Sequence, residues 1–282
     1  MAEHSIPRSH AKSAVRKRGR AWWRALPLVV ASIPLLGLLL LPLLALVLRV
    51  DAAQLLANLR SPAVGQAIGL SLITSAITTA LALLLGTPLA YLLARRRFAG
   101  SAVLDTLVDL PMVLPPSVAG IALLIAFGRR GLFGQYFEDV GLSIAFTQTA
   151  VVLAQMFVGA PFYVKAATAG FAAVDRELEQ AAAIDGAGPL RVFRSITLPL
   201  AGTSLLGGLV MTWARALGEF GATIIFAGNF PGRTQTMPLA IYLGFELNFN
   251  VALTLALILL ATSFVVVFVV KRILGQAIQT TS

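Results

Sequence analysis

Cysteine is absent from the 282 residues, and the two histidines, His4 and His10, both lie within the first ten. The first absence excludes disulfides and thiolate metal sites, and the second excludes a histidine-based metal or acid–base centre in the body of the chain. Charge is scarce as well: Asp, Glu, Lys and Arg make up 12% of the residues, about half the share of an average soluble domain. Only four lysines occur, Lys12, Lys17, Lys165 and Lys271, and none follows a glycine. The G-x4-G-K-[ST] loop that cradles nucleotide phosphates is therefore not encoded. The apolar segments carry no clustered carboxylates, so little is left to run bond chemistry, and a membrane enzyme is disfavoured. What remains is apolar: 58% of the residues are hydrophobic and the mean hydropathy is +0.86. That composition describes an integral membrane protein rather than a soluble core.

Six apolar spans are expected: Leu26–Leu48, Val64–Ala94, Leu107–Phe127, Ser143–Thr168, Leu200–Ala227 and Val251–Val270. The first has 23 residues without a charge, enough at 1.5 Å per residue to cross about 30 Å of hydrocarbon. It is too long for the apolar region of a signal peptide, so it reads as a retained helix. The domain reading follows: a basic tail over 1–25, a transmembrane domain over 26–272 containing a structured loop at about 170–198, and a tail over 273–282.

The net charge of +10 sits in short clusters between the apolar runs, which points to membrane topology and lipid rather than nucleic acid. Sixteen of the 22 Lys and Arg residues fall on one side of the expected spans, among them Arg95, Arg96, Arg97, Lys165 (assigned to the loop after the fourth span), Arg176, Arg191 and Arg194. Arg49, Arg60, Arg129, Arg130 and Arg233 fall on the other. The positive-inside rule then puts both termini in the cytoplasm, as an even number of spans requires. Pro88, Pro111, Pro161 and the adjacent Pro115-Pro116 interrupt spans. They imply ordinary kinks or, at the adjacent pair, a hinge or cavity.

The interval between the fourth and fifth spans is polar yet ordered. Arg176–Asp185 is rich in helix formers, Asp175 stands as its N-cap with Glu177 in the first turn, and Gly186 and Gly188 end it before Pro189 starts a second short helix. On that second helix Leu190, Val192, Phe193 and Ile196 make an apolar face, and Pro199 marks the return to the membrane. An ordered hairpin between membrane spans suggests a soluble partner. The spacing Gln180-Ala181-Ala182, Gly186, Ile196, Leu198-Pro199 resembles the coupling-loop motif of permease subunits of bacterial ATP-driven importers, with Gln where the general motif has Glu. Leu178-Glu179-Gln180-Ala181-Ala182 is similar to the version in oxyanion permeases. Leu110–Pro116, Phe127–Gly134 and Gly218–Tyr242 resemble molybdate permeases, and sulfate/thiosulfate permeases share a weaker version. The resemblance spans about residues 60 to 245.

The resemblance implies an all-α permease fold of the type I importers, with six transmembrane helices, both termini inside and a coupling-helix loop. It implies a homodimer, two copies of an ATP-binding subunit that supply the ATP and Mg sites, and a periplasmic or lipid-anchored oxyanion-binding protein. No cofactor or metal is expected in this chain. The coupling residues would be Glu179, Gln180, Ala181, Ala182, Gly186, Ile196, Leu198 and Pro199. The expected activity is import of molybdate, with tungstate accepted, and sulfate or thiosulfate as the alternative substrate. An ion-coupled secondary transporter would leave the hairpin unexplained.

Arg215 and Glu219 put two ionisable groups four apart in the fifth span, each costing about 2.5–3.5 kcal/mol at a bilayer centre on insertion scales. They read either as part of a translocation path or gate, together with Pro115 and Pro116, or as a structural pair that fixes helix packing. Because an unpaired Glu219 would repel an anion, Arg215 is the better candidate for anion contact, with Glu219 orienting it.

Overall fold

The protein is described by a computed structural model that covers the backbone of residues 11–96 and 98–280, and the side chains of 26–96 and 98–272. Arg97 and the first ten residues of the basic tail lie outside the described residues. Among those described, helices carry the fold and no strand occurs. Two compact units result, Met1–Val50 and Asp51–Ser282.

The first unit is one helix, α1 (Ala11–Arg49). Its apolar part, Leu26–Arg49, is 24 residues long, or about 36 Å. Leucines are exposed all round it, so lipid is the solvent that its composition demands. The helix starts inside the segment expected as a tail.

In the second unit, α2 (Ala52–Leu59) is a short helix capped by Asp51, whose Oδ1 accepts from Ala53 N at 3.2 Å. The centre is built from three long helices: α3 (Pro62–Arg95), α7 (Gln148–Ala173) and α10 (Leu198–Leu217). Lipid tails are as apolar as leucine, so these helices associate through close packing and hydrogen bonds rather than escape from water. Tyr163 of α7 is the keystone. It is fully buried, and its ring and backbone are gripped by two glycines. A Cβ on Gly86 of α3 would lie 2.9 Å from Tyr163 Cδ1, and one on Gly208 of α10 would lie 2.8 Å from Ala166 Cβ and 3.3 Å from Tyr163 Cα. The phenol oxygen meets Thr87 Oγ1 at 2.6 Å. Thr78 of α3 donates to Gln155 Oε1 of α7 at 3.1 Å. Such interhelical bonds average about 0.6 kcal/mol in membranes, so the close glycine contacts carry much of the specificity.

The third expected span is not one helix. α4 (Ser101–Val113) and α5 (Pro116–Phe127) meet at a 115° bend. Leu114, preceding a proline, is extended (φ −66°, ψ 137°), and Pro116 opens α5, as proline geometry favours. α6 (Gly134–Asp139) follows. The fourth span starts at Gln148 and runs to Ala173. Lys165 therefore lies within α7 rather than in a loop, where its Nζ bridges Asp105 Oδ1 (2.9 Å) and Asp109 Oδ2 (3.1 Å) of α4.

The fifth expected span also differs: α10 ends at Leu217, and after Gly218–Phe220 a separate short helix, α11 (Gly221–Phe226), begins. An apolar helix not expected from the sequence, α12 (Met237–Leu247), has 11 residues, about 16 Å and too short to cross a membrane alone. It turns at Asn248 into α13 (Phe249–Thr280), so the expected C-terminal tail is largely helical backbone. Among the described residues, five helices are long and apolar enough to span a membrane, or up to six if α4 and α5 form one broken span.

Candidate functional site

The hairpin between α7 and α10 consists of α8 (Arg176–Ile184) and α9 (Pro189–Val192). Asp175 caps α8 as its sequence position suggests: Oδ1 accepts from Glu177 N at 2.9 Å. The C-terminus closes by a Schellman pair, with Ala187 N–H on Ala182 O (3.0 Å) and Gly186 N–H on Ala183 O (3.1 Å). Gly186 sits at φ +87°, a conformation that strains any side chain.

α9 does not end before the membrane helix. It continues through a π-turn, Phe193–Thr197, into α10, with Leu198 N–H reaching back five residues to Phe193 O. The wider turn suits Pro199, which has no N–H to give and whose ring would crowd the carbonyl four residues back. Pro199 therefore lies in the first turn of α10 rather than at a break.

Glu179 is held in place while its neighbours are not. Its Oε1 accepts from Arg95 Nη2 (2.8 Å) and from Thr197 Oγ1 (2.5 Å). Arg95 also donates Nη1 to Val174 O at 3.2 Å. Below this, the rings of Tyr91, Phe171 and Phe193 meet with centroids 5.2–6.0 Å apart, joining α3, α7 and the π-turn. Gln180, Ala181, Gly186, Leu198 and Pro199 are exposed, while Ala182 and Ile196 are half-buried. Three apolar side chains of the hairpin are exposed: Leu178, Leu190 and, at 85% exposed, Ile184.

At the far end of α10, about 30 Å from Leu198, the other expected site residues come together. Arg215 is in the last turn and Glu219 stands just beyond it, so the pair flanks a helix end instead of sharing a helix face in mid-span. Arg215 Nη1 lies 2.7 Å from Glu219 Oε2. The contact is electrostatic and off the hydrogen-bond axis, for Oε2 has no hydrogen-bond donor among the described residues. Oε1 accepts from Ala222 N at 2.8 Å and so caps α11. Glu219 is 1% exposed, whereas Arg215 remains partly open. The carboxylate thus has its charge met by the guanidinium and one oxygen, Oε1, hydrogen-bonded at the amino end of α11.

This break touches the other. A Cβ on Gly221 would lie 2.7 Å from Pro116 Cβ, and one on Gly120 would lie 2.9 Å from Ala222 O. Pro116, Gly221, Glu219 and Arg215 thus form one contiguous junction. Pro115 and Pro116 are exposed on its surface.

The loop after α11 is sealed. Phe230 O accepts from the amides of Arg233, Thr234 and Gln235 at 2.9–3.1 Å, and Phe230 N–H donates to Thr234 Oγ1 at 3.1 Å. Gln235 Nε2 donates to Asn229 Oδ1 (3.0 Å), Asn229 Nδ2 to Leu239 O (3.2 Å), and Met237 N–H to Ser71 Oγ (2.7 Å). Thr234, Gln235, Thr236 and Met237 are all buried. Arg129, Arg130 and Arg233 are exposed, and Arg129 is paired with Glu138 at 3.3 Å.

Residues 86–280, which include the hairpin and both breaks, match the family model described as binding-protein-dependent transport system inner membrane component. The chain belongs to that family. Members are membrane components of transporters, not enzymes. This family member is 44% identical over 227 residues to the molybdenum transport system permease protein ModB of Mycobacterium bovis, covering 80% of this chain and 86% of that one. It is 38% identical to the molybdate/tungstate transport system permease protein WtpB of Thermococcus kodakarensis, over 80% of this chain and 85% of that one. In fold it is similar to a chain of a bacterial ABC transporter that imports the polysaccharide alginate, with a TM-score of 0.74 at 15% identity, covering 94% of this chain and 99% of that one.

Two groups that the geometry makes central escaped the sequence reading. Arg95 reads there as one of three topology charges, and Lys165 as a loop charge. Each finds its partner more than 50 residues away along the chain, which no local pattern reveals.

Proposed function

We propose that this chain is the permease subunit of an ATP-driven importer of molybdate that also accepts tungstate. The observation that carries this reading is the similarity, over four-fifths of the chain, to permeases named for molybdenum and for molybdate/tungstate transport. The exposed hairpin with its apolar tip supports the coupling role. Residues 26–272 form the transmembrane domain between the two tails, 1–25 and 273–282. Both termini and the hairpin lie on the cytoplasmic side of the cell membrane, in accord with the positive charges.

Two copies of the chain pair, and two ATP-binding subunits dock on the two hairpins. A binding protein delivers the oxyanion from outside. ATP and Mg bind the docked subunits. Nucleotide binding draws those subunits together, the hairpins follow, and the helix bundles reorient to open the other side, with hydrolysis resetting them. Arg215 offers transient contact to the anion while Glu219 holds it in place. The Pro115–Pro116 bend and the Glu219 cap form the gate junction.

The test is uptake of labelled molybdate into vesicles that hold the assembled complex. Excess tungstate should abolish uptake, and excess sulfate should leave most of it. Abolition by sulfate with no effect of tungstate would transfer the substrate to the sulfate class.

A further inference from the structure

The hairpin is fastened to the rest of the second unit at few points. α8 buries none of its residues. What holds it is the polar knot at Glu179 Oε1, where Arg95 from the last turn of α3 and Thr197 from the π-turn both donate. The same guanidinium reaches Val174 O at the end of α7. One carboxylate oxygen and one guanidinium therefore tie together α3, α7, α8 and the start of α10. The two side chains are 8% and 17% exposed, and Arg95 Nε is buried without a hydrogen-bond partner among the described residues. Parting such a pair strands a buried charge, which is far more costly than parting a surface pair. The aromatic contact of Tyr91, Phe171 and Phe193 beside it can slide, since apolar contact has no fixed direction. The ion pair fixes a distance.

We infer that Arg95 and Glu179 are the joint through which a displacement of the hairpin is passed to α3 and α10, and that both are positioning residues for coupling. This rests on the reading that an ATP-hydrolysing subunit docks on the hairpin. Because the knot sits at the root of the hairpin while Ile184 and Leu190 are its exposed surface, docking and transmission are carried by different residues.

The experiment uses the full chain assembled with its ATP-binding subunits and binding protein in vesicles, and reads molybdate taken up per ATP hydrolysed. Arg95→Met should leave the subunits associated and hydrolysing, while the ratio falls roughly tenfold, within the 5–150-fold span of a typical coupling energy. Glu179→Gln should lower it less, because an amide oxygen still accepts both hydrogen bonds. Arg95→Lys, which keeps a charged donor for Glu179, should retain more of the ratio than Arg95→Met. If uptake and hydrolysis fall in step, or Arg95→Lys does no better than Arg95→Met, the joint is refuted. If Arg95→Met does not assemble, Glu179→Gln, of the same size, decides by the same ratio. Failure of the ATP-binding subunits to associate with the unaltered chain would instead overturn the docking reading itself.

Discussion

The α8–α9 hairpin and the 228–236 loop are both short, polar connections, each with a glycine in the left-handed region, yet the chain treats them in opposite ways. The loop spends its backbone donors on Phe230 O and Thr234 Oγ1, buries its last residues, and is followed at once by Met237, whose amide donates to Ser71 Oγ. The hairpin closes its helix ends by a cap and a Schellman pair but leaves its apolar side chains uncovered. Polarity alone does not distinguish a plug from a handle. What does is burial: Thr234, Gln235 and Thr236 are enclosed by the body of the molecule, whereas Leu178, Ile184 and Leu190 of the hairpin are exposed.

The largest effect that would sharpen this contrast is functional. Gly186→Trp meets no neighbour within 4 Å of its Cβ position, although the positive φ strains it. Membrane insertion should therefore persist while ATP-linked uptake drops by roughly tenfold or more. Insertion measured by membrane fractionation and uptake measured in the same vesicles separate the two, and normal uptake would end the coupling assignment. Next comes Ser71→Ala, which deprives the buried Met237 amide of its acceptor. It should destabilise by about 1–3 kcal/mol and lower the melting temperature by several degrees. An unchanged melting curve would mean that the loop is not sealed as described. The smallest effect on the chain itself belongs to Ile184→Ser. Stability should change by less than about 0.5 kcal/mol, as for other exposed sites, while affinity for the ATP-binding subunit weakens measurably in a pull-down titration. A large fall in stability with unchanged affinity would reverse the roles of the two segments.

The long apolar helices were legible because a bilayer imposes a length that composition must satisfy, and five of the six expected spans have a long helix at their core. The hairpin was legible because caps are local: Asp175, Gly186 and Pro189 act within a few residues of themselves. The break after Leu217 was not. Gly218-Glu219-Phe220 lies inside an apolar average, and only the capping of Ala222 N by Glu219 turns it into a helix start. α12 was missed because its 11 residues are too few to register as a span. Arg95 escaped because its meaning comes from Glu179, which lies 84 residues further along. Local chemistry can be read from a sequence, whereas a partner brought in by folding cannot.

The absence of a side chain at Gly221, pressed on Pro116, gives the two interrupted spans a common fulcrum. The half-helices α4–α5 and α10–α11 have no slack between them at that point. A tilt of one half-helix pair about that point would press directly on the other.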